Sequence, residues 1–342
     1  MTASASLNQG RLPVLLGAVA DPHEVRRARA ALIADIGTAL GDWGRAPALT
    51  TWRVCPACGA DAPSRKPVLR AAVYSFHSCA RCTLVYTPRV LHDDVVRARY
   101  HDTGLGRSHQ CLLRAETASI DPERYARILD RVLDFAPSRG VAIDVGCGFG
   151  ALTAALRPRF DESLGLEPDA RTADVAARRH QIAVRTARLE ELQRPDASVD
   201  AIIFHNVLEE LPDLGSAIRA ARRLLRPGGA LYIGVGNGAS VGIGLLGAQH
   251  PAVATHQKLN LFTDPALRAL AARFGFAVRS LATNDDLDLS AADWALARLP
   301  RAVGLGMVFD RVARAAVRRW RLASRRGRGS TLELVATKNP SC

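Results

Sequence analysis

From about residue 121 onward, apolar positions follow two alternating periods. Short, near-continuous apolar runs predict strands over 141–145, 163–167, 182–186, 199–204, 230–235, 276–282 and 331–337. Segments with a 3.6-residue period separate them. They predict helices over 121–135, from Gly150 to about 156, over 169–179, over 213–225 and from 264 to about 274. Strand–helix alternation of this kind predicts an α/β fold: a mostly parallel sheet with helices on both faces. A long glycine-rich loop is expected over 236–261, and an insertion over 284–330 precedes the last strand.

The first part of the chain follows another pattern. Residues 1–20 show little periodicity. Asp21-Pro22-His23-Glu24 reads as a helix start, with Asp21 as cap and Pro22 at the first helical position. Val25, Ala28, Leu32, Ile36 and Leu40 then fall on one face. Over 51–100 only 71–76 has strand character. Three parts are therefore expected: an N-terminal helical segment over 1–50, a small cysteine-bearing unit over 51–100, and an α/β domain over 121–338 whose insertion at 284–330 is helical and arginine-rich.

With 342 residues, 48% of them hydrophobic, the chain can bury a real core. No apolar run approaches the roughly 20 residues of a membrane-spanning helix. Ala18-Val19-Ala20 mimics a signal-peptidase site, but Pro13 and Gly17 break the short apolar stretch before it. The net charge of +13 is mostly local, because eight arginines and no acid fall between Arg311 and Arg328. That basicity does not mark the whole chain as a nucleic-acid binder. Seven cysteines, an odd number, argue against a disulfide framework and for a reducing, cytoplasmic setting.

Candidate chemistry begins at Asp144-Val145-Gly146-Cys147-Gly148-Phe149-Gly150, directly after the 141–145 strand. Glycines there permit positive φ and close approach of a ligand, and the following helix aims its first amides at it. Gly146, Gly148 and Ala151 also satisfy a dinucleotide fingerprint, and Glu167 is placed to hold a ribose in either case. Asp144 breaks the tie. A carboxylate there suits the ammonium of an amino-acid-bearing cofactor and repels a pyrophosphate. Leu189-Glu190 follows the third strand, where an adenine is covered. Asn206-Val207-Leu208-Glu209-Glu210-Leu211 closes the fourth strand, and Leu225-Arg226-Pro227-Gly228-Gly229 precedes the fifth.

This ordered set resembles the class I S-adenosylmethionine-dependent methyltransferases over roughly 121–283 and 331–338. The resemblance implies a Rossmann-like seven-stranded sheet with an antiparallel last strand. It implies Gly146, Gly148 and Gly150 beside the methionine part of S-adenosylmethionine, with Asp144 and Asn206 nearby. Glu167 would take the ribose hydroxyls, and Leu189 and Glu190 would frame the adenine.

Cys55-Pro56-Ala57-Cys58 and Cys79-Ala80-Arg81-Cys82 have zinc-knuckle spacing. Four thiolates leave no open position, so the site is expected to be structural. Cys79 to Arg89, followed by Tyr100, resembles the N-terminal zinc ribbon of a bacterial methyltransferase subgroup acting on sugars, glycans and secondary metabolites. Two departures stand out. Thr83 replaces the usual glycine after the second pair, and Glu210 replaces a common histidine.

Methyl transfer requires a positioned acceptor and often a base. His205, Asn206, His250 and His256 lie where loops should leave the carboxyl ends of the sheet. His256 matches a histidine recurrent in the subgroup, and His256 and His205 are the candidate catalytic residues. The acceptor expected is a small molecule, sugar or glycan. The arginine helix, including Arg318, Arg319, Arg325 and Arg326, suits a solvated face or a peripheral contact with anionic lipid. The alternatives are an RNA methyltransferase, in which these arginines track phosphates, and a non-catalytic scaffold that binds the cofactor.

Overall fold

The computed structural model describes residues 50–71, 74–92, 122–250, 253, 258–284 and 329–339. The expected helix at 21–40, His256 and the arginine-rich part of the insertion lie outside these residues.

Seven strands form one mixed sheet: β6 (Val141–Val145), β7 (Glu162–Leu166), β8 (Ala183–Arg185), β9 (Val199–His205), β10 (Leu225–Gly236), β12 (Phe276–Asn284) and β13 (Thr331–Lys338). Their order is β12-β13-β10-β9-β6-β7-β8. β6 pairs in parallel with β7 and β9, and β10 with β9, whereas β13 runs antiparallel to both β10 and β12. This is the Rossmann-like seven-stranded sheet with an antiparallel last strand that the resemblance implies.

The apolar run in β9 shows why the sheet is buried on both faces. Ala201 and Ile203 pack with Ile128 and Val132 of α1 (Pro122–Leu133) and Leu152 and Leu156 of α2 (Ala151–Leu156). Ile202 and Phe204 face the other way. They join Ile218 and Leu224 of α4 (Leu214–Leu224) and Leu267 and Leu270 of α6 (Asp264–Arg273). The helix α3 (Ala170–His180) links β7 to β8 and is capped by Asp169, which accepts from the Thr172 amide at 3.0 Å.

Two expectations change. β10 begins at Leu225, so Pro227-Gly228-Gly229 sits inside the strand as an irregularity, where the register shifts between Leu225 and Ala230. The loop expected over 236–261 contains a helix, α5 (Val241–Leu246), and a short strand, β11 (Asn260–Leu261). Ser240 caps α5 by accepting from the Ile243 amide at 3.2 Å, and Ile243 buries against Phe76, Val90 and Leu261. That tertiary burial overrides the low helix propensity of Gly242 and Gly244.

Upstream, β1 (Thr50–Trp52) pairs with β5 (Arg89–Leu91). β2 (Leu69–Arg70), β3 (Ser75–Ser78), β4 (Val85–Tyr86) and β11 form a second sheet in the order β11-β4-β3-β2. A strand from the second half of the chain thus completes the cysteine-bearing sheet. Cys55, Cys79, Cys82, Leu84 and Tyr86 share a buried cluster with Ile202, Phe204 and Leu267. Among the described residues, no helix is long and apolar enough to cross a membrane.

Candidate active site and metal centre

The carboxyl ends of β6 and β7 carry the glycine loop. Gly146, Gly148 and Gly150 all have positive φ, at 66°, 53° and 81°. Their surroundings differ. A Cβ on Gly146 would lie 2.6 Å from Cγ2 of Val207, and one on Gly150 would lie 2.5 Å from Cδ1 of Ile182. A Cβ on Gly148 would meet nothing within 4 Å. Gly146 and Gly150 are therefore glycine for packing, whereas Gly148 borders open space of the kind a ligand fills.

Glu167, just past β7, faces that space. Its carboxylate accepts from the Gly148 amide at 3.1 Å and the Asp169 amide at 3.0 Å. Two backbone bonds leave acceptor capacity for a diol. Burial pushes its carboxyl up to about 7, with Asp169 and Glu210 adding to the effect. Asp144 lies beneath the loop, 2% exposed, and accepts from Oγ1 of Thr153 at 2.7 Å. Burial, and after it the charge of Glu167, raises this carboxyl to about 7 as well. Two carboxyls so disfavoured as anions suit a cationic ligand. Leu189 is buried in a short 3-10 turn, Leu189–Glu191, and Glu190 next to it is exposed.

Across the cleft, β9 ends at His205. Burial, then the charges of Arg124 and Lys258, hold its imidazole at about 3. The ring is thus neutral at ordinary pH and a weak base; its Nδ1 is buried without a hydrogen-bond partner. Asn206 adopts φ 58°, which asparagine tolerates, and its amide donates to the Gly234 carbonyl at 2.8 Å. His250 follows a 3-10 turn, Gly247–Gln249, where its amide donates to the Gly247 carbonyl.

The sequence reading missed Lys258. Its ammonium lies 3.3 Å from Oε1 of Glu209 and 3.3 Å from Oε1 of Glu210. Burial opposes its charge, but the two carboxylates more than offset that and hold it above the ordinary lysine range. Glu209 is the packing residue of the pair. It is buried, and its Oε1 also accepts from the Gly236 amide at 3.1 Å, tying the end of β10 to the turn after β9. Glu210 is 39% exposed.

The four cysteines come together as the spacing requires. Cys55 and Cys82 sulfurs are 3.5 Å apart, Cys58 and Cys79 sulfurs 3.6 Å, and all four lie within 4.8 Å of one another. A tetrahedral ion with sulfur ligands at about 2.3 Å needs separations of roughly 3.8 Å. A metal ion fits this donor set. The two knuckles repeat one geometry. The Gly59 amide donates to the Cys55 carbonyl and the Thr83 amide to the Cys79 carbonyl, with φ of 78° and 64° at Gly59 and Thr83. Thr83 keeps the glycine conformation despite its side chain, and its Oγ1 lies 2.8 Å from Oγ1 of Thr263, the cap of α6.

Residues 117–281 match a family model described as a methyltransferase domain. A Mycolicibacterium smegmatis protein, named a probable S-adenosylmethionine-dependent methyltransferase, is 32% identical over 33% of this chain and 44% of its own. A ubiquinone biosynthesis O-methyltransferase of Xanthomonas oryzae pv. oryzae is 31% identical over 39% of this chain and 57% of its own. The chain thus spans about half the length of these relatives. Among solved structures, an S-adenosylmethionine-dependent methyltransferase from Archaeoglobus fulgidus superposes with a TM-score of 0.45 at 16% identity, over 63% of this chain and 92% of its own. The matched segment begins before β6 and ends within β12, so it takes in the glycine loop, Glu167 and the turn after β9. Residues 117–281 are thus a methyltransferase domain, similar to those of S-adenosylmethionine-dependent methyltransferases.

Proposed function

We propose that this protein transfers a methyl group from S-adenosylmethionine to a small-molecule acceptor, sugars and glycans included, and that a structural zinc ion sits in the Cys55, Cys58, Cys79 and Cys82 cluster. The observation that carries the reading is the open space at Gly148, bordered by the Glu167 carboxylate. Glu167 would hold the ribose hydroxyls and Asp144 would favour the ammonium end. Gly146, Gly148, Gly150 and Asn206 would line the methionine part, and Leu189 and Glu190 the adenine. The bound cofactor supplies an electrophilic methyl group. The chain supplies orientation and a proton acceptor.

Glu210 suits the acceptor role better than His205. It is a partly exposed carboxylate beside Lys258, whereas the His205 ring is held neutral and weakly basic. His256 remains a candidate base on its position in the sequence. The ubiquinone-pathway relative acts, by its name, in small-molecule biosynthesis, which favours a small acceptor over RNA.

Calorimetry with S-adenosylmethionine and S-adenosylhomocysteine tests the core of this reading. Wild type should bind both, and Glu167→Ala should bind neither at comparable concentrations. Absence of binding by folded wild type would refute the reading. Metal analysis should find about one zinc per chain, lost with Cys55→Ser and Cys58→Ser.

A further inference from the structure

The cleft's second wall is assembled from segments far apart in sequence, and one side chain meets all of them. Arg53 lies just before the first knuckle. Its Nε donates to the Thr87 carbonyl at 2.9 Å. One terminal nitrogen donates to the carbonyls of Pro212 at 2.8 Å and Leu211 at 3.5 Å. The other donates to the Leu259 carbonyl at 3.1 Å and to Oδ1 of Asn260 at 2.9 Å. A guanidinium has five N–H donors, and this pattern uses all of them. The group also lies over the Tyr86 ring, 5.8 Å from its centroid.

The acceptors of those bonds belong to the wall that carries Glu210 and Lys258. Leu211 and Pro212 directly follow Glu210, and Leu259 and Asn260 directly follow Lys258. Asn260 staples the two segments together. Its Nδ2 donates to the carbonyls of Leu208 at 3.0 Å and Leu211 at 2.9 Å. The amides of Leu259 and Asn260 both donate to the Glu209 carbonyl. Pairing of β11 with β4 then ties Asn260 to Tyr86 and Leu261 to Val85. Asn260 thus belongs to the sheet whose strands β3 and β4 flank the second cysteine pair, and Arg53 lies two residues before the first pair.

We infer that Arg53 is a positioning residue through which the cysteine knuckles set the acceptor-side wall, placing Glu210 and Lys258 against the cofactor cleft. The inference rests on the methyl-transfer reading for the meaning of that cleft, but its geometry does not. The four cysteines would hold a metal at the turn between β3 and β4, and that would fix the two strands. β4 orders β11, and Arg53 locks the turns on either side. The glycine loop and Glu167 make none of these bonds, and Gly146 meets this wall through Val207, ahead of the segment that Arg53 holds. Lysine cannot replace Arg53, because three donors on one nitrogen cannot serve acceptors spread along a planar fork.

The chain has three lysines, Lys66, Lys258 and Lys338, which makes the test direct. Full-length, metal-loaded protein carrying ¹³C-labelled lysine should show one displaced ε-carbon signal, assigned to Lys258 by its loss in Lys258→Arg. In Arg53→Gln that signal should move toward those of Lys66 and Lys338. Hydrogen exchange over 209–212 and 258–261 should speed up by about tenfold or more, with β6 and β7 unchanged. Affinity for S-adenosylhomocysteine should stay within about twofold, a difference below 0.5 kcal/mol. Arg53→Lys should restore the Lys258 signal only in part. A chelator added to wild type should reproduce the Arg53→Gln pattern, which keeps the test available if that variant does not fold. Arg194→Gln, at an ion pair with Glu162 on another part of the surface, should leave the Lys258 signal in place.

An unmoved Lys258 signal in Arg53→Gln would overturn the inference, as would exchange rising equally throughout the molecule. If wild type bound no S-adenosylhomocysteine while Lys258 still responded to Arg53, the methyl-transfer reading would fail and the positioning role would stand.

Discussion

The two walls of the cleft are built by opposite strategies. The wall proposed to hold the cofactor comes from neighbouring stretches of chain: Asp144 to Gly150 and Glu167 to Asp169, joined by a bond between the Gly148 amide and the Glu167 carboxylate. The facing wall gathers Arg53, the turn 206–212 and the segment 258–260, with Arg53 bonding partners 158 and 207 positions away. A wall of local contacts folds whenever its sheet folds. A wall of distant contacts depends on whatever holds the distant pieces, here the cysteine knuckles. The first can keep one cofactor site while the second changes with the acceptor.

Removing the metal should separate the walls most sharply. Structural zinc sites contribute on the order of 10 kcal/mol to the folding of the segments they bind. Cys55→Ser or chelation should therefore expose β3, β4 and β11 to hydrogen exchange while β6, β7 and β9 stay protected. Loss of protection in β6 to the same degree would show that the two walls fold as one unit and would break the comparison.

The next test lies where the walls touch. Gly146 sits under Val207, so Gly146→Ala meets both a positive φ and a Cβ only 2.6 Å from Cγ2 of Val207. Strain and overpacking together should cost roughly 2–5 kcal/mol of stability. Gly148→Ala has the φ penalty alone, about 1–2 kcal/mol, because its Cβ would point into open space. Its larger effect should be on binding, with affinity for S-adenosylmethionine falling at least about tenfold, or ~1.4 kcal/mol. Thermal melts and calorimetry on both variants check this ordering. Tight binding by Gly148→Ala would place the cofactor elsewhere.

The glycine loop was legible in the sequence as a turn after a strand because its residues are contiguous. Asp144, the three glycines and Glu167 occur in order at fixed spacing, and the structure brings Gly148 and Glu167 into contact. The four cysteines were legible for the same reason. Arg53, Asn260 and Lys258 were not, because each takes its role from partners that no local pattern names. The helix α5 was hidden differently. Its glycines read as loop, and only the burial of Ile243 against the cysteine-bearing sheet makes the turn worthwhile. The Ser240 cap was a visible signal that the glycines outweighed. The Pro-Gly-Gly stretch marked the start of a strand correctly in kind, but the strand continues through it to Leu225.

Acidity gives the next largest separation. Asp144 and Glu167 are both held near 7, chiefly by burial, whereas unfolded carboxyls titrate near 4. Between about pH 4 and 7 the folded protein therefore binds protons that the unfolded chain has released. Without cofactor, these groups favour the fold below pH 4 and oppose it increasingly up to pH 7, with no further change above. For Asp144 the effect over that whole window is on the order of 4 kcal/mol. Denaturant melts at pH 5 and 8 should show it as a difference between wild type and Asp144→Asn. Cofactor binding should run the other way. A cationic ligand favours the ionised carboxylates, so affinity should fall as pH drops below 7 and binding should release protons. A wild-type affinity that is flat between pH 5.5 and 8 would count against a cation favoured by Asp144. The facing wall should not share this window, because Lys258 holds its charge well above it.

The smallest effect falls on the seam between the cysteine-bearing sheet and α6. Thr83 stands in a left-handed conformation, φ 64°, that disfavours a β-branched residue by about 1–2 kcal/mol. Its hydroxyl bonds that of Thr263, a contribution of about 1 kcal/mol. Thr83→Gly loses the bond and relieves the strain, so its stability should stay within about 1 kcal/mol of wild type. Thr83→Ala loses the bond and keeps most of the strain, so it should be less stable than Thr83→Gly. Denaturant midpoints of the metal-loaded proteins decide the order. If alanine proves as stable as glycine, the φ at Thr83 carries no strain. The knuckle would then hold that conformation without help from Thr263, and the seam would be passive rather than a link between the metal centre and the acceptor-side wall.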